Sequence, residues 1–125
     1  ACYSPVSDSI NMPTLKSFED QSEYYLTAYH ELTHWTGHKS RCNRFDDESH
    51  SFGSELYSKE ELVAEIGANM LSNYVGIKRA VSKNSQAYIN GWLSKLKNDS
   101  RLIISASSKA QQATVYITGK QAQDC

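Results

Sequence analysis

The sequence predicts a mainly α (α+β) domain: about four helices preceded by a small N-terminal β-hairpin or edge strand. Three observations predict it. Apolar residues recur at three- and four-residue steps through several stretches, the period of an amphipathic helix. Only six Gly and two Pro occur, and most of them fall between those stretches. The one short segment of apolar residues set among turn-formers lies at the start, residues 3–12. A chain of 125 residues, 39% hydrophobic and 22% charged, can bury one core without covalent staples. Disordered, collagen-like and low-complexity classes are excluded. No run of about 18 apolar residues is present, so no membrane span is expected, nor a secretory leader. A sequence that starts at Ala1 rather than Met leaves room for an upstream segment. The expected domain is 1–119, with 120–125 as a frayed tail.

In chain order, Tyr3, Val6, Ile10 and Met12 supply the apolar side of the β element, and Pro5 argues against a central strand. Pro13 breaks the chain. A helix is predicted from about Leu15 to Thr36 on the row Phe18, Tyr25, Tyr29, Leu32 and Trp35. Glu19 and Asp20 suit its first turn, where the helix dipole favours acids, and Gly37 stops it. Residues 38–57 read as a polar, irregular connection containing Asp46-Asp47-Glu48 and Gly53. Ser58-Lys-Glu-Glu61 matches a capping box opening a second helix. Its stripe is Leu62, Ile66, Met70 and Tyr74, with Val63 and Leu71 beside it, and Gly76 ends it. Gly67 inside that helix costs about 1 kcal/mol against Ala and marks a close approach by another backbone. Asn84 or Ser85 caps a third helix with Tyr88, Ile89, Trp92, Leu93 and Leu96 inward. Asp99 caps a fourth, with Leu102, Ile103, Ala106, Ala110, Ala113 and Ile117 inward and Gly119 closing it.

The net charge is −1, which does not suit a basic nucleic-acid module. The distribution is lopsided: twelve of the 14 acidic side chains lie in residues 1–65, against five of the 13 basic ones. The second half could therefore present a positive face. The three cysteines, Cys2, Cys42 and Cys125, form no Cys-x-x-Cys pair, so a cysteine zinc knuckle is excluded. Free thiols in a reducing cytoplasm fit them best.

The sequence His30-Glu31-Leu32-Thr33-His34 matches His-Glu-x-x-His. Histidines four apart on a helix share a face, so both imidazoles can reach one zinc ion at about 2.0–2.1 Å. Glu31 is rotated about 100° from His30, where it can take a proton from the water such an ion activates. A hydrolytic zinc site wants a third protein ligand and one open position. His38 would extend the row, but three ligands on one straight helix cannot close around a single ion. The second helix offers Glu60, Glu61 and Glu65. Glu61 is expected as the third ligand and Glu65 as the group that orients a ligand histidine through its free N–H; the swap of those two roles stays open. Glu61 has a rival role in the capping box with Ser58, whereas an unpaired Glu65 at the edge of a buried stripe would be costly.

Several blocks agree in order and spacing with a known family. They are Tyr24-Tyr25, then His30-Glu-Leu-Thr-His-Trp-Thr-Gly-His-Lys-Ser-Arg41, Phe52-Gly-Ser54, Lys59-Glu-Glu-Leu-Val-Ala-Glu-Ile-Gly-Ala68, Tyr88-Ile89 with Trp92-Leu93, and Lys97-Asn-Asp99. From Tyr3 to Ile117 the chain resembles the C-terminal zincin-like metallopeptidase domain of the ArdC antirestriction family, which includes TraC-type plasmid primases. The resemblance implies a cytoplasmic protein of a plasmid or phage that protects incoming single-stranded DNA from host restriction. It also implies an N-terminal single-strand-binding domain, which this sequence does not contain. The residues carried over are His30, Glu31, His34 and Glu61, all present here, with one zinc ion as cofactor.

The expected chemistry is peptide hydrolysis, with Glu31 as general base and Tyr57, His38 or His50 as candidate oxyanion donors. The substrate would be a protein or peptide, such as a host restriction factor, held in extended form along the edge of the Tyr3–Met12 segment. A competing reading is a metal-stabilised binding module that shields DNA or blocks a partner without cutting. Another is a nucleic-acid surface built from Lys39, Arg41 and Arg44 with Lys78, Arg79 and Lys83; it lacks an obvious aromatic platform for stacking bases.

Overall fold

A computed structural model describes residues 1–45, 54–77, 83–97 and 99–119. Strands β1 (Cys2–Ser4) and β2 (Ser9–Asn11) pair antiparallel with Tyr3 opposite Ile10. Helices α1 (Gln21–Thr36), α2 (Glu55–Tyr74), α3 (Lys83–Lys95) and α4 (Ser100–Thr118) follow. The α+β class with four helices and a small leading β element therefore holds.

Helix α1 starts six residues later than the apolar pattern suggests. Leu15–Ser17 forms a separate 3-10 turn, Phe18 is extended, and Asp20 is the cap rather than a first-turn acid. Its carboxylate accepts from the Ser22 backbone N–H at 2.9 Å. A helix cannot run through a residue whose side chain closes its own first turn. Helix α2 starts earlier than expected, because Ser54 rather than Ser58 caps it, accepting from the Tyr57 N–H at 3.1 Å. Ser58 is buried inside the helix, so the capping box does not form and Glu61 is released from it. Lys83 already belongs to α3, which places Asn84 and Ser85 within its first turn rather than before it. Asp99 and Gly119 bound α4 as expected, the glycine in the left-handed conformation. The tail 120–125 lies outside the described residues, as does Cys125; Cys2 and Cys42 are free thiols.

Helix α2 packs against α1, α3 and α4. Its Leu62 and Val63 join Leu96, Ala106 and Ala110 as the core, with Ile66, Met70, Ile89, Leu93 and Leu102 against them. Burying each such aliphatic side chain contributes about 1.5–3 kcal/mol. Ala106, Ala110 and Ala113 give α4 a flat face that lets it lie close to α2. Tyr88 and Ile103, expected inward, are exposed, as are Tyr25 and Tyr74. A helical period fixes which residues share a face but not how much of that face a neighbour covers.

The hairpin docks on the end of α1 through one side chain. Arg41 pairs with Asp8, its Nε donates to the Trp35 carbonyl at 2.7 Å, and its guanidinium lies 3.9 Å from the centre of the Trp35 ring. Asp8 also accepts from the Tyr3 hydroxyl at 2.8 Å.

The α1–α2 crossing sets the spacing of everything that follows. At Gly67 a Cβ would come within 2.6 Å of both the Cγ2 and the Oγ1 of Thr33. Thr33 is fully buried, and its hydroxyl donates to the Tyr29 carbonyl at 2.8 Å, so it cannot swing aside. Gly67→Ala is expected to destabilise the chain by about 1–2 kcal/mol, since overpacking outweighs the helix propensity gained. The check is a urea midpoint that falls at constant slope and recovers when Thr33→Ala is added. A gain in stability would show that the helices separate without cost.

Candidate metal centre

His30 and His34 lie one turn apart on the face of α1 that meets α2. Opposite them α2 brings Glu60, Glu61 and Glu65. The two Nε2 atoms are 3.2 Å apart. Glu61 reaches between them, with Oε2 at 3.3 Å from His30 Nε2 and Oε1 at 3.0 Å from His34 Nε2. Among the described residues, His30, His34 and Glu61 are the group whose ligand atoms could hold a metal, lying within 4.8 Å of one another. Ligand atoms about 2.0–2.1 Å from a tetrahedral centre lie about 3.3–3.4 Å from each other. The 3.2 Å between the two Nε2 atoms is close to that, and Glu61 turns one carboxylate oxygen to each histidine.

Both imidazoles are also held from behind. His30 Nδ1 lies 3.0 Å from Glu65 Oε1, and His34 Nδ1 lies 3.2 Å from Glu60 Oε1. Each ring thus gives its Nδ1–H to a carboxylate and turns Nε2 toward Glu61. Glu60 is in turn gripped by Arg44, whose Nε donates to Oε2 at 3.0 Å and whose second nitrogen donates to Oε1 at 2.9 Å.

The protonation of the cluster follows from these contacts. Burial disfavours a charged His30, but hydrogen bonds to Glu61 and Glu65 outweigh it and push its pKa up to about 10. Burial likewise opposes charge on His34, yet its bonds to Glu60 and Glu61 raise its pKa. Burial would raise Glu61, but both histidines hold it well below the usual carboxylate range. Glu60 is held low against its burial by His34 and Arg44.

A pocket of about 340 Å³ opens on this cluster, lined by the charged Glu31, Glu60 and Glu61 with His34 and by the aromatic Tyr3, Phe45 and Tyr57. Glu31 is buried to 7% exposure and, among the described residues, makes no hydrogen bond or ion pair. Burial of a carboxylate is costly, and this one lies on the wall of the pocket with His34 and Glu61. Tyr57 hydrogen-bonds Glu61, and its pKa is raised by burial and by the charges of Glu61 and Glu31, which keeps its phenol protonated. Of the other candidate oxyanion donors, His38 is bonded through Nδ1 to Ser40, with Oγ at 2.8 Å, and does not line the pocket. His50 lies outside the described residues.

Of the basic residues after α1, Lys39 is exposed but the two arginines are engaged. Arg41 is engaged with Asp8 and Trp35, and Arg44 with Glu60. Lys78 and Arg79 lie outside the described residues. Glu60 and Arg44 are the site residues that sequence reasoning misses. The signal available was a count: two ligand histidines need two acceptors in addition to any third ligand, and the second helix carries three acids.

Comparison with known proteins then decides the family. The profile of the zincin-like metallopeptidases matches residues 1–109. The chain belongs to that family. This zincin-like chain is 41% identical over 117 residues to a DNA primase TraC of Escherichia coli, covering 94% of this chain and 11% of the relative. It is 35% identical over 121 residues to the uncharacterized protein y4eC of Sinorhizobium fredii (strain NBRC 101917 / NGR234), covering 97% of this chain and 39% of that one. Among solved structures, it is similar to the Mn(II)-bound antirestriction ArdC protein of plasmid R388, with a TM-score of 0.75 and 41% identity over 99% of this chain and 45% of that one. The metal-free form of ArdC gives a TM-score of 0.67 at 42% identity, over 93% of this chain and 41% of that one. The zincin-like chain spans less than half the length of each of these relatives. No helix among the described residues is long and apolar enough to cross a membrane.

Proposed function

We propose that this chain is the zinc peptidase unit of a plasmid-type antirestriction protein, acting on peptide bonds. The observation that carries the reading is the convergence of two Nε2 atoms and the Glu61 carboxylate beside a buried Glu31 that has no hydrogen-bond or ion-pair partner among the described residues. Two imidazoles and one carboxylate are the donor set of His₂Glu zinc enzymes, and the 3.2 Å between the two Nε2 atoms is close to a tetrahedral edge. His30 Nε2, His34 Nε2 and Glu61 would hold it. When bound, zinc supplies Lewis acidity, lowering the pKa of a coordinated water toward 7 and polarising a carbonyl.

This chain's own residues do the rest. Glu31 accepts the proton of the attacking water on its carboxylate and passes it to the leaving amine. The Tyr57 hydroxyl, kept protonated by burial and by its acidic neighbours, donates to the oxygen that gains charge as the carbonyl is attacked. Tyr3 lines the same pocket, and among the described residues β1 pairs with β2 alone. Its other edge can therefore align an extended substrate by main-chain hydrogen bonds. Residues 1–119 form the working unit. The setting is the cytoplasm of a recipient cell, with host restriction factors as candidate substrates. Single-stranded DNA would be bound by a further domain outside these residues, as the resemblance to the ArdC antirestriction family implies.

The test is direct. The zinc-loaded chain is incubated with unstructured proteins and a mixed peptide library, and new amino termini are counted. Cleavage that a chelator stops and added zinc restores is the expected result. A chain that binds zinc tightly and cuts nothing would favour a metal-stabilised binding module.

A further inference from the structure

We propose that Arg44 and Glu60 are positioning residues, a buried clamp that aims His34 at the metal. This rests on the reading of His30, His34 and Glu61 as ligands. The two sides of the site are not built alike. Behind His30 stands one carboxylate, Glu65, at 3.0 Å. Behind His34 stands a relay: Nδ1 to Glu60 at 3.2 Å, and Glu60 to both nitrogens of the Arg44 fork at 3.0 and 2.9 Å. Arg44 has further fixed acceptors at the end of α1. It donates to the Thr36 hydroxyl at 2.7 Å and to the Thr33 carbonyl at 2.5 Å. The Glu60 and Arg44 side chains are only 8% and 6% exposed.

This arrangement does more than join two helices. A planar guanidinium bound at both its edges admits one orientation of Glu60. That orientation presents Oε1 to His34 Nδ1, which holds the ring by that nitrogen and turns Nε2 toward Glu61 and the proposed metal position. The cation also sits at the carboxyl end of α1, where a positive charge is favoured. The ring of His34 is thus set by a residue ten positions later in the chain, so the segment after α1 takes part in shaping the metal centre.

Single substitutions would leave one buried charge without its partner and could unfold the chain. The deciding variant therefore removes both: Arg44→Met with Glu60→Leu, since exchange of a buried ion pair for apolar side chains of similar size is often neutral for folding. The melting midpoint of the metal-free variant is expected to move little, while its zinc affinity, measured against a competing chelator, falls about 10- to 100-fold. Arg44→Lys, which keeps the charge and loses the fork, is the second variant. It should weaken zinc binding by less than the double exchange. Glu61→Gln serves as the control for loss of a ligand. If the parent and Arg44→Lys bind zinc equally, and a folded double variant binds as the parent does, the clamp is overturned while the ligand assignment stands. A parent that binds no zinc, or a Glu61→Gln variant that binds as tightly as the parent, overturns the ligand assignment and the clamp with it.

Discussion

Glu31→Gln is expected to slow peptide hydrolysis by about 10²–10⁴-fold while zinc affinity stays within a few fold of the parent. Glutamine keeps the shape and the hydrogen-bonding reach of the side chain but cannot take up a proton. Glu31 lies outside the metal-capable group of His30, His34 and Glu61 yet lines the same pocket. On the proposed reading its role is proton transfer rather than holding the ion. The exchange also removes a buried carboxylate with no partner among the described residues, so the variant should be at least as stable as the parent. Loss of activity together with a gain in melting midpoint is the signature of a group kept for chemistry at a cost in stability. Equal loss of zinc binding would instead make Glu31 part of the coordinating set.

The second large effect is on pH. Zinc affinity should fall roughly tenfold per pH unit for each proton the metal displaces. In the metal-free chain His30 keeps its proton up to about pH 10, and His34 is raised as well. Between pH 8 and 5 the loss is about a thousandfold for a single displaced proton. Calorimetry in buffers of different ionisation enthalpy counts the protons released. Affinity that holds constant from pH 6 to 8 would contradict the protonated cluster. In the metal-free fold the His30 pairing responds in the opposite sense and the Glu60 and Glu61 pairings in the same one. The His30 pairing contributes fully below the ordinary histidine pKa of 6.5 and fades as pH climbs through about 10. The Glu60 and Glu61 pairings contribute above the ordinary value of 4.5 and are lost as pH falls.

The features that could be read from the sequence were those fixed by local period and spacing. The four helices, the Asp99 cap and the Gly119 stop depend on neighbours within a turn or two, and the structure keeps them. So does the approach of Glu61 to His30 and His34, which follows once two helices with those faces meet. The helix starts were misread where two residues competed for one role. Ser54 and Ser58 are both good caps, and Ser58 with Glu61 fits the better-known pattern. Burial of Ser58 against the core decided for Ser54. Leu15 and Phe18 extend the apolar row of α1 but belong to a 3-10 turn and an extended residue. The pairing of Arg44 with Glu60 joins residues 16 apart across two elements. No periodicity announces such a contact, because it depends on where the segment after α1 folds back. Arg44 in particular reads as a solvated cation until its partner is known.

Helix α2 serves two clients at once, and between Glu60 and Ala68 it has no idle position. Glu60, Glu61 and Glu65 face the histidines, Leu62, Val63 and Ile66 face the interior, Ala64 and Ala68 are buried, and Gly67 bears on Thr33. Neutral drift, which in most amphipathic helices moves freely along the wet side, is left almost no room in these nine consecutive residues. Descendants of this chain can therefore diverge at its margins while this strip of α2 stays nearly fixed.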